Sequence, residues 1–247
     1  MKVGLFIPCY VDQFYPRAAI ATLELLEKLG INVVFPSGQT CCGQPMANSG
    51  FEHLTHSVNE QFVKQFSGVD YVVSPSGSCV LHLKEHLHTN DSHEADATAL
   101  RSRIYELTEF LTDIALVKKL NARFPYRVGL HQSCHGQRGL HISQMTELVA
   151  PPFSKPVSLL NLVKDLELIN LDRPDECCGF GGTFCVVEEA VSAKMGKDRV
   201  ADHLRHGAEY ITSADMSCLM HLEGLLRRQK SETKVVHIAE ILNSTVS

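Results

Sequence analysis

The feature that most constrains this chain of 247 residues is the arrangement of its nine cysteines. The triplet Cys-Cys-Gly occurs twice, at 41–43 and at 177–179. In each case one cysteine precedes the triplet and another follows it at a distance. The eight cysteines of the two sets are Cys9, Cys41, Cys42, Cys79, Cys134, Cys177, Cys178 and Cys218. Two sets in the same order indicate that the chain is an internal duplication.

Other segments recur in the same order as the cysteines. The matching pairs are 4–9 with 129–134, 71–79 with 210–218, and 106–111 with 237–242. We therefore predict a first cysteine-rich domain over 1–120 and a second over 121–247. The proline-rich stretch 151–156 lies among extra residues of the second copy, and it predicts an inserted surface loop.

Within each copy, short β-branched runs alternate with helical periods, a pattern typical of parallel α/β units. The predicted strands are 2–8, 31–35, 69–74, 126–130, 166–171 and 209–212. We predict one helix that ends at Gly30, a second over 51–66 and a third after Cys218. The polar stretch 89–98 predicts a solvated excursion, that is, a segment exposed to solvent. The fold class that follows is α/β, with two pseudo-repeated domains that each contain a parallel sheet.

The cysteines follow predicted strands or open the helices that come next. In parallel sheets the carboxyl ends of the strands line the ligand-binding crevice, and the helix N-termini there stabilise thiolates. Adjacent side chains of an extended segment point apart, so each cysteine pair needs a tight turn, which Gly43 and Gly179 allow. Two neighbouring thiolates suit a multi-iron cluster better than a single tetrahedral ion.

Composition excludes several classes of protein. The 23 Lys and Arg against 28 Asp and Glu give a net charge of -5, and without a basic run we expect no nucleic-acid partner. No apolar stretch reaches the roughly 18 to 20 residues that cross a bilayer, so we expect no membrane insertion. The apolar run 3–7 is too short for a secretory signal, which favours a cytoplasmic location. In a reducing cytosol, many cysteines indicate metal binding or redox chemistry.

At the cysteine motifs the sequence resembles the CCG-domain family, whose cysteine-rich domain occurs in heterodisulfide reductase and in the iron–sulfur proteins of lactate, glycolate and glycerol-3-phosphate oxidising systems. That family's motif is a cysteine, a Cys-Cys-Gly triplet and a Cys-x-x-Cys, usually in two copies. In the first copy, residues 10–40 separate the first two elements and residues 44–78 separate the next two. The segments 41–45, 74–79, 177–184 and 237–240 resemble the lactate-oxidising members in particular.

The resemblance implies an iron–sulfur electron-transfer subunit of a multi-subunit system that oxidises L-lactate to pyruvate. All eight motif cysteines would then bind two clusters, one per copy. Other iron–sulfur subunits of the same lactate oxidation complex would be the partners. No catalytic acid or base is assigned, because no pair of suitable residues stands at a recognisable spacing.

The chain departs from the family motif at its last position, where His82 and His221 replace a cysteine. Four cysteines per copy favour a [4Fe–4S] cluster over the noncubane cluster of heterodisulfide reductase. Whether these two histidines bind metal is open. His131 and His135 flank Cys134 and are candidates for hydrogen bonds to cluster sulfur.

Two other functions fit the cysteine pattern. A cluster could reduce a disulfide substrate directly, as the heterodisulfide reductase relatives do. Alternatively, one or both sets could bind zinc and only stabilise the fold. The ninth cysteine, Cys185, has no counterpart in the first copy and predicts a packing residue.

Overall fold

The computed structural model describes residues 1–90 and 93–245, and over these the chain forms two parallel β-sheets. The strands are β1 (Lys2–Leu5), β2 (Asn32–Val34), β3 (Tyr71–Ser74), β4 (Ile104–Glu106), β5 (Arg127–Leu130), β6 (Glu167–Leu168), β7 (Tyr210–Ser213) and β8 (Lys234–His237). The first sheet has the order β2-β1-β3-β4 and the second the order β6-β5-β7-β8. The pairings within both sheets are parallel. The predicted α/β fold with a duplicated sheet is thus confirmed.

Helices connect the strands, as parallel pairing requires. They are α1 (Cys9–Phe14), α2 (Pro16–Lys28), α3 (Gln44–Asn48), α4 (His56–Phe66), α5 (Gly77–His86), α6 (Glu94–Arg101), α7 (Leu107–Glu109), α8 (Lys155–Leu160), α9 (Phe184–Val187), α10 (Glu189–Arg205), α11 (Met216–Arg228) and α12 (Ile238–Leu242). A 3₁₀ turn covers Glu52–Thr55, and π-helical turns cover Phe110–Ile114 and His135–Gly139. Every helix within the described residues is too short or too polar to cross a bilayer.

The predicted strands occur where the sequence places them, but five of the six are shorter, and β7 is displaced by one residue. Helix α2 ends as predicted, because Gly30 has φ 76° and its N–H donates to the carbonyl of Glu27 at 2.9 Å. The predicted helix 51–66 is a 3₁₀ turn followed by α4. The outer strands β4 and β8 lie outside the predicted strands, although their ends belong to the repeated segments. The first sheet lies within 2–106 and the second within 127–237, while the boundary at residue 120 stays a prediction.

The prediction of a solvated excursion over 89–98 is wrong for its second part. Helix α6 begins at Glu94, and Ala97 and Leu100 on its inner face are fully buried. Arg101 at its end donates to the carbonyl of Leu87 at 2.8 Å. The few apolar residues of this helix are dispersed among polar ones, which hides its helical period. Residues 91 and 92 lie outside the described part of the chain.

The predicted loop over 151–156 is correct only for its first residues. Residues 151–153 are exposed, but the Ser154 hydroxyl accepts a hydrogen bond from the Val157 N–H at 3.3 Å and caps α8. Lys155 and Pro156 therefore lie in the first turn of that helix. Proline is favoured there because the first turn leaves its N–H groups without helical partners.

The two halves contact each other through their helices. Helix α12 of the second half packs against α2 of the first. The Asn243 side chain joins them, since it accepts from Lys28 Nζ and donates to Glu24 Oε2, both at 2.6 Å. Tyr15 donates across the same boundary to Glu223 Oε2 at 2.8 Å. The C-terminal helix thus covers part of the first half.

A glycine in a central strand of each half lets a helix approach the sheet closely. A Cβ at Gly4 would lie 2.7 Å from the ring of Phe66, and a Cβ at Gly129 would lie 2.2 Å from Nδ1 of His203. Helices α4 and α10 carry these two side chains. The absence of a side chain at these positions of β1 and β5 is therefore a packing requirement.

We expect Gly129→Ala to lower the free energy of unfolding by about 1–3 kcal/mol, because the new methyl group overlaps the buried His203 ring. The matched control is Gly224→Ala in α11, where a Cβ meets no described atom within 4 Å. There we expect no loss and a gain of up to about 1 kcal/mol from helix propensity. Urea unfolding of the two variants measures both effects. Equal midpoints for the two would contradict the packing requirement.

Candidate metal centres

The first set of cysteines meets at the carboxyl edge of the first sheet. Cys9 begins α1 after β1, Cys41 and Cys42 lie in the loop before α3, and Cys79 lies in the first turn of α5 after β3. The Sγ atoms of Cys42 and Cys79 are 3.4 Å apart. The Cys41 thiol also interacts with the thiols of Cys9 and Cys42. These contacts join four sulfurs from three separate strand ends, and we call them the first quartet.

The second set forms the same arrangement at the carboxyl edge of the second sheet. The Sγ atoms of Cys134 and Cys177 are 3.9 Å apart. The Cys178 thiol interacts with the thiols of Cys177 and Cys218, and Cys218 lies in the first turn of α11. These four sulfurs are the second quartet. The two quartets occupy equivalent places because the strand order of the two sheets is the same.

The turn after each cysteine pair has the conformation that only glycine adopts easily. Gly43 has φ 90° and Gly179 has φ 84°. The backbone N–H of each glycine donates to the Sγ of the first cysteine of its triplet, Gly43 to Cys41 and Gly179 to Cys177, both at 3.4 Å. A Cβ at Gly179 would also lie 2.8 Å from the carbonyl oxygen of Ser192. The glycine therefore supplies both the turn and a hydrogen bond to sulfur.

The pKa of one thiol in each quartet is lowered. Hydrogen bonds from Cys42 and Cys9 hold the pKa of Cys41 well below its usual range. Side-chain interactions with Cys134 and Cys178 do the same for the pKa of Cys177. The donors show the reverse effect: the pKa of Cys9, for example, is raised because its S–H is donated to Cys41. In each quartet the lowered pKa thus belongs to the first cysteine of the triplet.

The donor chemistry fits a thiolate-bound metal. Four thiols from one sheet edge are the ligand set of a Cys₄ iron–sulfur cluster or of a Cys₄ zinc site. In the first quartet Cys42 and Cys79 are buried, whereas Cys9 is exposed. A cleft of about 310 Å³ is lined by Cys9 and Cys41 together with Gln39. The first quartet is therefore open to solvent at one side.

The two histidines at the last motif position lie in different surroundings. His82 is buried beside the Cys-Cys-Gly turn, its ring stacks on His86 at 5.0 Å, and burial lowers its pKa to about 4. His221 is half-buried, and its Nε2 lies 3.4 Å from the carbonyl oxygen of Ser192. Cys185 is a partly exposed residue of α9 whose thiol donates to the carbonyl of Gly182 at 3.0 Å, so it is not a core packing residue.

The helices that carry the last cysteine of each quartet begin at one shared contact. The Ser76 hydroxyl caps α5 by accepting from the Cys79 N–H at 3.4 Å, and the Asp215 carboxylate caps α11 by accepting from the Ser217 N–H at 3.1 Å. Ser76 and Asp215 pair with each other in an antiparallel β-bridge. Asp215 also accepts from the Ser78 N–H of the other helix at 2.6 Å. One buried carboxylate therefore caps helices of both halves.

Tyr10 completes a hydrogen-bonded bridge between the quartets. Its hydroxyl lies 3.1 Å from Ser76 Oγ and donates to Asp215 Oδ1 at 3.3 Å. Burial raises the pKa of Tyr10 well above its usual range, and the charges of Asp215, Cys79 and Cys218 add to this effect. The phenol is thus close to both quartets. Sequence reasoning missed this bridge, although a capping residue before each cysteine-bearing helix was a signal for part of it.

Three comparisons place the chain among known proteins. The model of a family described as "CCG: Cysteine-rich domain" matches residues 3–84 and 128–223. "Lactate utilization protein A" of Geobacillus sp. (strain WCH70) is 41% identical over 247 residues, which covers 99% of this chain and 100% of that protein. The protein of the same name from Bacillus subtilis (strain 168) is also 41% identical over 247 residues, with the same coverage.

A solved structure shares the fold. It is described as "Crystal structure of a hypothetical protein from Helicobacter pylori" and matches with a TM-score of 0.59 at 14% sequence identity. The match covers 98% of this chain and 48% of that one. At this identity the likeness concerns the fold alone.

We expect the metal-free chain to be alkylated first at Cys41 and Cys177. At about pH 6 an ordinary thiol, with a pKa near 8.5, is almost wholly protonated, and only the thiolate attacks iodoacetamide. Peptide mapping by mass spectrometry after short exposure measures the order of reaction. Cys185, which lies in neither quartet and is partly exposed, is the internal control for access. Faster modification of Cys9, the more exposed thiol, would contradict the lowered pKa of Cys41.

Proposed function

Because the chain belongs to the cysteine-rich CCG family, as its repeated Cys-Cys-Gly motifs predicted, we propose that it is an iron–sulfur electron-transfer subunit of a lactate-oxidising system. The observation that carries the proposal is the pair of equivalent thiol quartets, one at the carboxyl edge of each sheet. A chain that served only as a scaffold would need neither two partly buried sets of thiols nor the glycine turns that bring adjacent sulfurs together.

The substrate in the proposal is L-lactate, oxidised to pyruvate by the assembled system. It is supported by relatives named "Lactate utilization protein A" that are 41% identical over nearly the whole chain. The proposed partners are other iron–sulfur subunits of the same system, and the proposed location is the cytoplasm. An electron-transfer subunit needs partners, because it must receive electrons from one group and pass them to another.

Each quartet is proposed to bind one [4Fe–4S] cluster, for which its four cysteines are the candidate ligands. When bound, such a cluster accepts and releases single electrons. The protein contributes the thiolates, the burial of most ligands and the N–H donors of Gly43 and Gly179 next to sulfur. Hydrogen bonds and burial are the means by which a protein sets the reduction potential of a cluster.

The bridge of Tyr10, Ser76 and Asp215 supports electron exchange between the two sites. It connects the helix that bears Cys79 to the helix that bears Cys218 through contacts of 3.1 and 3.3 Å. The two proposed clusters would therefore be neighbours within one chain rather than separate carriers. A relay of two neighbouring sites suits a protein placed between an electron donor and an electron acceptor.

Zinc is the second candidate metal, and the distances between sulfur atoms support it. Two thiolates bound to one tetrahedral ion at about 2.3 Å lie about 3.8 Å apart. The Sγ atoms of Cys42 and Cys79 are separated by 3.4 Å in the first quartet, and those of Cys134 and Cys177 by 3.9 Å in the second. A zinc-bound chain would stabilise the fold or a partner surface and carry no electrons.

We expect anaerobically purified protein to contain iron and acid-labile sulfide in two equal sites. Cys42→Ser and Cys178→Ser should each remove about half of the iron, because each removes a buried ligand of only one quartet, and the double variant should remove nearly all of it. Cys185→Ser is the matched control and should retain the full content. Iron and sulfide assays with electron paramagnetic resonance of the reduced protein give the measurement.

Stoichiometric zinc in a colourless protein, without a spectral change on reduction, would replace the proposal with the zinc alternative. An isolated chain that reduces a disulfide with a low-potential donor would instead assign it to disulfide reduction. Activity that appears only with the assembled lactate-oxidising system supports the electron-transfer role.

A further inference from the structure

We propose that His131 supplies a nitrogen ligand to the metal of the second quartet, beside Cys178 and Cys218, and that the first quartet lacks this ligand because Phe6 occupies the equivalent position. This inference rests on the proposed function in one respect, because it assumes that the second quartet binds metal. In a [4Fe–4S] cubane each iron takes one protein ligand, so His131 would replace one of the four cysteines as a ligand of the second centre. The two sites would then differ chemically although the thiols are duplicated.

The geometry that carries the inference is a compact group of three potential ligands. A ring nitrogen of His131 and the Sγ atoms of Cys178 and Cys218 all lie within 4.8 Å of one another. His131 follows β5 directly and is buried, since only 1% of its surface is exposed. Among the residues that the structure describes, neither of its ring nitrogens has a hydrogen-bond partner. A buried polar group without a partner is costly, and metal coordination would satisfy it.

The neighbouring charged side chain does not occupy the ring nitrogens of His131. Arg199 is fully buried, and its guanidinium donates to the Asp202 carboxylate at 3.2 Å and to the carbonyl of Arg173. His203 is fully buried as well, and it packs against β5. Both nitrogens of His131 are therefore without a partner among the described residues.

The first half cannot offer the same ligand, because the equivalent position is Phe6. The segments Gly4-Leu5-Phe6 and Gly129-Leu130-His131 begin the matching runs that end at Cys9 and Cys134. Phe6 is fully buried and packs edge-on against Phe62 at 5.1 Å and Phe66 at 6.0 Å. The wall behind the first quartet is therefore aromatic, whereas the wall behind the second is made of His131, Arg199 and His203.

His131 is a better ligand candidate than the histidines nearer the cysteine motifs. His221 takes the place of the motif's last cysteine, but its Nε2 lies near the Ser192 carbonyl. His135 reaches only Cys134, with Nδ1 at 4.0 Å from Sγ. Within the described part of the chain, only His131 is grouped with two thiols that follow different strands of the sheet. Proximity to the thiols in the folded structure, rather than proximity to the cysteine motifs in the sequence, therefore identifies His131 as the candidate ligand.

Pulsed electron paramagnetic resonance of the full-length chain tests the inference. Protein with ¹⁵N-labelled histidine is reconstituted anaerobically with iron and sulfide in a Cys42→Ser background, so that the spectrum reports the second centre. We expect a strong ¹⁵N hyperfine coupling, of the size produced by a direct iron–nitrogen bond. It should disappear in His131→Phe, which copies the first half, and persist in the matched control His135→Phe.

The outcomes separate the inference from the proposed function. If the second quartet binds iron but shows no ¹⁵N coupling, or only the weak coupling of an N–H···S hydrogen bond, His131 is not a ligand and the electron-transfer proposal stands. A strong coupling that survives in His131→Phe also overturns the assignment. If the wild-type chain binds no iron, both proposals fall. The labelled protein with an intact His131 gives a decisive spectrum even if His131→Phe does not fold.

Discussion

The antiparallel contact between Ser76 and Asp215 is the constraint on which the arrangement of both quartets depends. Helices α5 and α11 begin on either side of it, and each carries the last cysteine of a quartet in its first turn. Asp215 is fully buried and accepts hydrogen bonds from main-chain N–H groups of both helices. A buried carboxylate is stable only when it is fully hydrogen-bonded, so this residue fixes the two helix ends relative to each other. The duplicated halves therefore form one unit around a shared polar centre.

The sequence predicted the fold and the approximate positions of the thiols because both depend on local patterns. Alternating β-branched and helical periods define parallel units, and such units bring the residues after their strands to one edge. The polar bridge could not be predicted in the same way, because Tyr10 and Asp215 are distant in the chain and meet only through the packing of the halves. Helix α6 escaped prediction since its buried residues, Ala97 and Leu100, are few. The outer strands β4 and β8 were missed because each runs directly into the helix that follows it.

The two halves share their cysteine ligands, but they differ in the residues that pack against the central strand next to each quartet. Phe6 and Phe66 form an apolar wall in the first half, while His131 and His203 occupy the corresponding space in the second. Both walls are tightly packed, since a Cβ on the central glycine of either strand would overlap the neighbouring side chain. The buried guanidinium of Arg199 adds a positive charge near Cys178 that the first half lacks at the equivalent helix position, where Phe62 packs edge-on against Phe6. Similar thiol geometry is thus combined with different electrostatic surroundings, and this difference, rather than the number of thiols, distinguishes the two sites.

The packing of α12 on α2 has a consequence for the order of events during translation. Synthesis proceeds from the N-terminus, and N-terminal units generally fold first. Here the first half receives its covering helix, with the contacts of Asn243 to Lys28 and Glu24, from residues 238–243, which are synthesised after all the strands of both sheets. The cap that Asp215 provides to the Ser78 N–H also arrives late. The nascent first half therefore completes its packing only after residues 238–243 have been synthesised and α12 has docked on α2.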